Sequence, residues 1–213
     1  MERLGGGSYS IIPDQIEAGT YMAAVAATGG QVKVTNVIPK HLECITAKLL
    51  EMGVTVEEED EAVIVRRDPN TPLQRTNVKT MPYPGFPTDM QPQIAAVLCL
   101  AKGTSILTEG VWDNRYRYVG EFHRMGAQIQ VDGKVAVIEG VDRLSGAAIT
   151  ACDLRAGAAM VIAGLAAEGV TEIGRIHHIE RGYEGIVEKL QGVGADIRVV
   201  VTPDEEQAVV NVG

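Results

Sequence analysis

The chain has 213 residues, 46% of them hydrophobic but only 4% aromatic, so it can bury a sizeable core and must build it from Ala, Val, Ile and Leu. A formal net charge of −9 argues against nucleic acid or an anionic membrane surface as partner. Cys44, Cys99 and Cys152 lack disulfide or metal-ligand spacing, and no run is apolar enough for a membrane span or a signal peptide, so the expectation is a soluble cytoplasmic protein with no metal and no cofactor.

The first predicted element is a short strand, Ser8–Ile12. Pro13 and Asp14 then open a helix to about Thr28, with Asp14 as N-cap and Glu17 three residues on. A strand at Gln31–Val37 precedes a proline-started helix, Pro39–Met52, whose apolar stripe is Leu42, Ile45, Leu49 and Met52. Gly53 ends it, and Val54–Glu58 with Ala62–Arg66 reads as a hairpin. The order repeats: strand Val78–Pro82, helix from about Asp89 to Ala101, strand Ser105–Thr108, helix from about Asn114 to Met125, hairpin Ala127–Val131 with Val135–Glu139. It repeats again: Ala148–Ala151, Leu154–Ala167, Val170–Ile173, Arg181–Val193, and a hairpin of Asp196–Val201 with Ala208–Val212.

The segments ending at Gly53, Gly126 and Gly194 recur at intervals of roughly 70 residues and mark three copies of one βαβαββ unit, spanning 8–68, 76–142 and 147–213. No low-complexity tract separates them, so residues 1–213 should form one domain. Ile94–Ala101 and Ala156–Ala167 are apolar all round, which places such helices inside. The strands carry one polar face, as in Thr55–Glu59. The expected architecture is therefore α/β and inside-out, a barrel with buried helices and outer sheets, unlike the usual parallel sheet covered by helices.

Asp89, between Thr88 and Gln91, has the spacing of a capping box, but the prolines and aromatics around it exceed what capping needs. Four co-linear strings, Phe86–Gln93, Asn114-Arg115, Asp153–Ala158 and His178–Glu184, resemble the UDP-N-acetylglucosamine 1-carboxyvinyltransferases, the UDP-N-acetylglucosamine enolpyruvyl transferases. The relative 3-phosphoshikimate 1-carboxyvinyltransferase shares their fold. The resemblance runs over essentially the whole chain and implies the inside-out fold of three-unit domains, two per family member with the active site between them. This chain is similar to the C-terminal one alone. The family's cysteine acid and phosphate-contacting lysine belong to the other, N-terminal, domain, and no cysteine here matches.

By that resemblance the enolpyruvyl group of phosphoenolpyruvate moves to the 3′-hydroxyl of UDP-N-acetylglucosamine, the first committed step of peptidoglycan synthesis and thus of cell-wall growth and division. Asp89 would act as base or hydroxyl orienter. Arg115 and Arg181 would grip anionic groups, both from the starts of second helices, where guanidinium offers a bidentate fork. Val111 would touch the UDP-sugar through its backbone. Arg155 matches a substrate-binding position, and Asp153 reads equally as a binding residue or a helix cap. The implied partners are the two substrates and the missing N-terminal domain. Two alternatives stay open: a non-catalytic binding or scaffold module, and half of a 3-phosphoshikimate 1-carboxyvinyltransferase. Two copies of the chain facing each other could also form a cleft.

Overall fold

The computed structural model describes residues 5–201 and 208–212; the turn expected at 203–206 lies outside the described residues. The first unit contains α1 (Gln15–Thr28), β1 (Gly30–Thr35), a 3-10 turn at Pro39–Leu42 running into α2 (Glu43–Glu51), and the hairpin β2 (Thr55–Glu59) with β3 (Ala62–Arg67). The second contains β4 (Val78–Lys79), a 3-10 turn at Thr88–Met90 running into α3 (Gln91–Leu98), β5 (Thr104–Thr108), α4 (Val119–Arg124), β6 (Gln128–Asp132) and β7 (Val135–Glu139). A short strand β8 (Leu144–Ser145) precedes the third unit: β9 (Ala148–Thr150), α5 (Leu154–Ala166), β10 (Ala167–Glu168), β11 (Thr171–Gly174), α6 (His177–Glu180), α7 (Ile186–Gly192), β12 (Ile197–Val201) and β13 (Ala208–Val212).

Helices α1, α3 and α5 pack on one another at the centre. α3 buries every residue from Gln91 to Leu98, and α5 every residue from Ala156 to Gly164. Small residues make this approach possible: a Cβ on Gly157 would lie 2.5 Å from Ile179 Cγ1. The stripe Leu42, Ile45, Leu49 and Met52 on the first unit's second helix is fully buried. Sheets lie outside, as β2 shows with four of its five residues exposed. Asp14 caps α1, its Oδ1 accepting from the N–H groups of Ile16 (2.7 Å) and Glu17 (3.3 Å). Glu17 does not close a reciprocal box; its carboxylate accepts from Tyr21 Oη and Lys189 Nζ.

The second and third units each carry a four-stranded sheet, in the orders β4-β5-β7-β6 and β9-β11-β13-β12. The outer strands β4 and β9 run parallel to β5 and β11, and the rest pair antiparallel. The first unit has three strands only, β1-β3-β2. Its expected opening strand, Ser8–Ile12, is not formed. That stretch has no regular structure, and Tyr9 (84%), Ile11 (90%) and Ile12 (53%) are exposed.

The second helices are shorter than their apolar spacing suggests. Asn114 takes a left-handed φ of 54°, so α4 starts at Val119 instead of Asn114. Of the helix expected over Arg181–Val193 only α7 forms, with Gly185 at φ 59° as its N-cap; the short helix α6 ends before Arg181. Neither Arg115 nor Arg181 therefore sits at the start of a second helix. Arg115 lies in the loop before α4, and Arg181 is the C-cap residue of α6.

Candidate active site

Asp89 is the middle residue of the 3-10 turn before α3 and caps nothing; that turn and α3 both lack a side-chain cap. Its carboxylate lies between two guanidiniums from different units. Arg115 Nη2 donates to Oδ1 at 3.2 Å, and Arg155 donates to Oδ2 from Nε (3.3 Å) and Nη2 (3.2 Å). The arginine side chains are mostly buried, 19% and 15% exposed, whereas that of Asp89 is 42% exposed and so reachable by a ligand.

Arg155 reaches this position because Asp153 caps α5, its Oδ1 accepting from Ala156 N at 2.8 Å. The capping reading of Asp153 is thus the one its contacts support. Arg155 Nη1 also donates to Tyr183 Oη at 3.2 Å, with the guanidinium 5.5 Å from that ring's centre. Desolvation acts against the Arg155 charge, but Tyr183 and Asp89 outweigh it and hold the pKa above the ordinary arginine value. Behind this lies a buried polar junction: Tyr183 Oη is 3.0 Å from Thr20 Oγ1, and Gln93 Nε2 donates to both at 3.2 Å. Each of the three units contributes one residue to it.

Val111 follows β5 in a turn built on Glu109, which the sequence reading missed. Glu109 is 1% exposed. Its Oε1 accepts from Thr80 Oγ1 (2.7 Å), Val111 N (2.8 Å) and Trp112 N (3.0 Å), while Thr88 Oγ1 reaches both oxygens at 3.1 Å. One buried carboxylate thus ties the Val111 turn to the 3-10 turn that carries Asp89. Gly110 is required beside it, because a Cβ there would lie 2.2 Å from the Thr80 carbonyl oxygen. The signal available in the sequence was a lone carboxylate followed by glycine at the end of a strand.

Arg181 is exposed, and among the described residues it makes no hydrogen bond or ion pair. It borders His178, whose pKa is lowered by desolvation first and then by His177, Arg181 and Arg175, with Asp153 opposing. Gly182 after it allows the turn to press against Leu154, where a Cβ would meet Cδ2 at 2.7 Å. Asp89, Arg115 and Arg155 are therefore in direct contact, and Val111 is connected to them through Glu109 and Thr88. Arg181 joins them only by way of the His178 and Tyr183 segment. Glu184 is exposed. Cys99 is fully buried, which pushes its thiol up to about 12. Among the described residues no cluster of His, Cys, Asp and Glu could hold a metal ion, and no helix is long and apolar enough to cross a membrane.

Residues 1–190 match the family described as EPSP synthase (3-phosphoshikimate 1-carboxyvinyltransferase). A UDP-N-acetylglucosamine 1-carboxyvinyltransferase 3 of Caldanaerobacter subterraneus subsp. tengcongensis is 59% identical over 197 residues, covering 92% of this chain and 47% of that protein. A UDP-N-acetylglucosamine 1-carboxyvinyltransferase of Desulfofundulus thermocisternus is 53% identical over 92% of this chain and 81% of its own length. The enolpyruvyl transferase NikO from Streptomyces tendae superposes with a TM-score of 0.80 at 30% identity, over 91% of this chain and 46% of that one. EPSP synthase from Acinetobacter baumannii, at 21% identity and a TM-score of 0.66, shares the fold. The chain spans about half the length of most of these relatives. It belongs to the enolpyruvyl transferase family, among the UDP-N-acetylglucosamine 1-carboxyvinyltransferases.

Proposed function

We propose that the chain is the C-terminal domain of an enolpyruvyl transferase that uses phosphoenolpyruvate and UDP-N-acetylglucosamine in the cytoplasm, the first committed step of peptidoglycan synthesis. The observation that carries this reading is the Asp89 carboxylate, held on both oxygens by Arg115 and Arg155 yet open to solvent on one side. An incoming anion can draw Arg115 away from Oδ1. The freed oxygen then takes the proton of the sugar 3′-hydroxyl as the hydroxyl oxygen bonds to C2 of phosphoenolpyruvate and the methylene carbon is protonated; phosphate then leaves C2 as a proton is lost from that carbon, which restores the double bond. Guanidinium groups of Arg115 and Arg181 stabilise the negative charge of the reacting phosphate and carboxylate. The Val111 N–H is committed to Glu109, so its carbonyl is the backbone group left to accept from the UDP-sugar. The acid that protonates the methylene carbon lies in the complementary N-terminal domain, so this chain alone is inactive. No metal or cofactor enters the reading. Phosphate release from the two substrates tests it, with the chain alone and with a complementary half added. Turnover only in the paired sample is expected. Substrate binding without phosphate release in either sample would point instead to a binding or scaffold module.

A further inference from the structure

The three units can be laid on one another through the left-handed glycines Gly30, Gly103 and Gly169, which lead into β1, β5 and β11. At one constant distance before them stand Asp14, Pro87 and Asp153, the N-caps of α1, of the 3-10 turn ahead of α3, and of α5. Two residues past the caps come Ile16, Asp89 and Arg155. The ion pair of Asp89 with Arg155 therefore joins equivalent positions of the second and third units, and the first unit places an apolar side chain there. Six residues past the caps come Thr20, Gln93 and Ala159. In this inner layer the third unit's helix offers no polar group, and Tyr183, from the turn after α6, supplies one. Tyr183 is the member of that layer that also reaches the ion pair.

Counting hydrogens fixes the direction of each bond. Thr20 Oγ1 donates its single hydrogen to the Ile16 carbonyl at 2.7 Å, so Tyr183 Oη donates its own to Thr20. Gln93 Nε2 donates to both oxygens, and Arg155 Nη1 donates to Tyr183 Oη. Each hydroxyl thus gives one bond and accepts two, and neither is free to turn. The donor chain runs from Arg155 through Tyr183 and Thr20 into the α1 backbone, buried throughout its inner part. The two guanidiniums on Asp89 differ accordingly. Arg155 is bonded through Nε, Nη1 and Nη2. Arg115 bonds Asp89 and the Thr88 carbonyl through Nη2, and its buried Nε has no partner among the described residues.

We propose that Tyr183 is a positioning residue: its hydroxyl, locked from behind by Thr20 and Gln93, holds the Arg155 guanidinium fixed against Asp89 Oδ2 and leaves Arg115 as the arginine that moves. Tyr183 touches no reacting atom in this account and acts through Arg155. Without its oxygen the guanidinium keeps Asp89 but loses its third anchor, and the carboxylate loses a fixed direction. A misplacement of about 1 Å can cost a reaction about 10²-fold. The kinetic consequence rests on the transferase reading above; the hold on Arg155 does not.

Tyr183→Phe tests it by removing the oxygen and keeping the ring. Guanidinium NMR on the chain alone reads the first link, with Arg155→Lys identifying the signals. The Arg155 Nη groups should rotate about tenfold faster than in the parent, the loss of one charge-assisted hydrogen bond. Steady-state kinetics with the complementary half reads the second link: kcat should fall about 10–100-fold while both KM values stay within about twofold. Tyr118→Phe is the control, since it deletes another fully buried phenol hydroxyl, bonded to Gln91 Oε1 at 3.1 Å. It should lower the melting temperature comparably and leave Arg155 and kcat as in the parent. Thr20→Val frees the phenol to turn and should loosen Arg155 in the same direction, which keeps the test decisive if Tyr183→Phe folds poorly. Parental Nη rotation in these two variants would overturn the proposal. So would an equal fall in kcat with Tyr118→Phe, or a loosened Arg155 with parental kcat. A parent pair that releases no phosphate would count against the transferase reading alone, and Nη rotation would still decide whether Tyr183 holds Arg155.

Discussion

Removing the Glu109 carboxylate should be the most damaging single polar change in this domain. Glu109→Ala takes the acceptor from the fully buried Thr80 hydroxyl, from the Thr88 hydroxyl, and from the N–H groups of Val111 and Trp112. Hydrogen bonds to a charged group contribute roughly 1.5–3 kcal/mol each, and an orphaned buried donor adds its desolvation cost. The two N–H groups sit in a part-buried turn where water recovers some of this, and the four bonds share one acceptor, so they do not add. A loss of about 3 kcal/mol follows, a large fraction of the ~5–15 kcal/mol that holds a domain together. At this chain length that lowers Tm by roughly 6–12 °C. Glu109→Gln keeps one acceptor oxygen and should lose only about 1 kcal/mol. Thermal and urea melts measure both, and amide shifts of Val111 and Trp112 report whether the turn has opened. An alanine variant within ~0.5 kcal/mol of the parent, the range of an ordinary surface change, would refute the reasoning.

In the reconstituted transferase, Asp89→Asn should cut kcat about 10²–10⁴-fold while melting near the parent, because the part-exposed ion pairs it removes contribute at most ~1 kcal/mol. Arg124→Lys, whose charge is mostly solvated and 4.0 Å from Glu121, is the matched control and should leave steady-state kinetics unchanged. His178 should titrate below 6.5 by NMR, and Arg181→Gln should raise its midpoint by removing a neighbouring cation; an unmoved midpoint would separate the two residues. Because that folded value is depressed, His178 favours the fold above pH 6.5 and this contribution is lost as pH falls from 6.5 toward the folded value. Gly110→Ala should fail to fold or melt far lower, because the Thr80 backbone it meets cannot yield; soluble protein with parental melting would contradict the close approach.

The unit order was legible because each copy closes a helix with a glycine and turns into a hairpin, signals carried within a few residues. The inward helices were legible for the same local reason: an Ala-rich face on every side of α3 and α5 leaves no polar stripe for water. Helix starts were misread where the backbone turns left-handed at a residue free to do so, a signal outweighed by the apolar spacing around it. Asn114 is one such residue, and Gly185 is another, hidden inside an apolar spacing that continues across the break. Ser8–Ile12 has strand composition, but a strand needs a neighbour, and composition does not show one. Asp89, Arg115 and Arg155 were found through string resemblance. Their mutual contact was not, since it depends on how the second and third units meet. Glu109 escaped for a related reason: Thr80 and Thr88, which justify its burial, are remote in sequence.

The buried junction of Thr20, Gln93 and Tyr183 bears on how the molecule comes apart. In a linear repeat array each unit leans only on its neighbours, so an end can fray while the rest persists. Here a hydroxyl from the first unit, an amide N–H from the second and a phenol from the third bond to one another between the central helices. Withdrawing any one unit strands polar groups of the other two in an apolar interior, where an unmet hydrogen bond is costly. Three sequence repeats should therefore melt as one cooperative body, with the junction acting as the keystone of a three-legged arch.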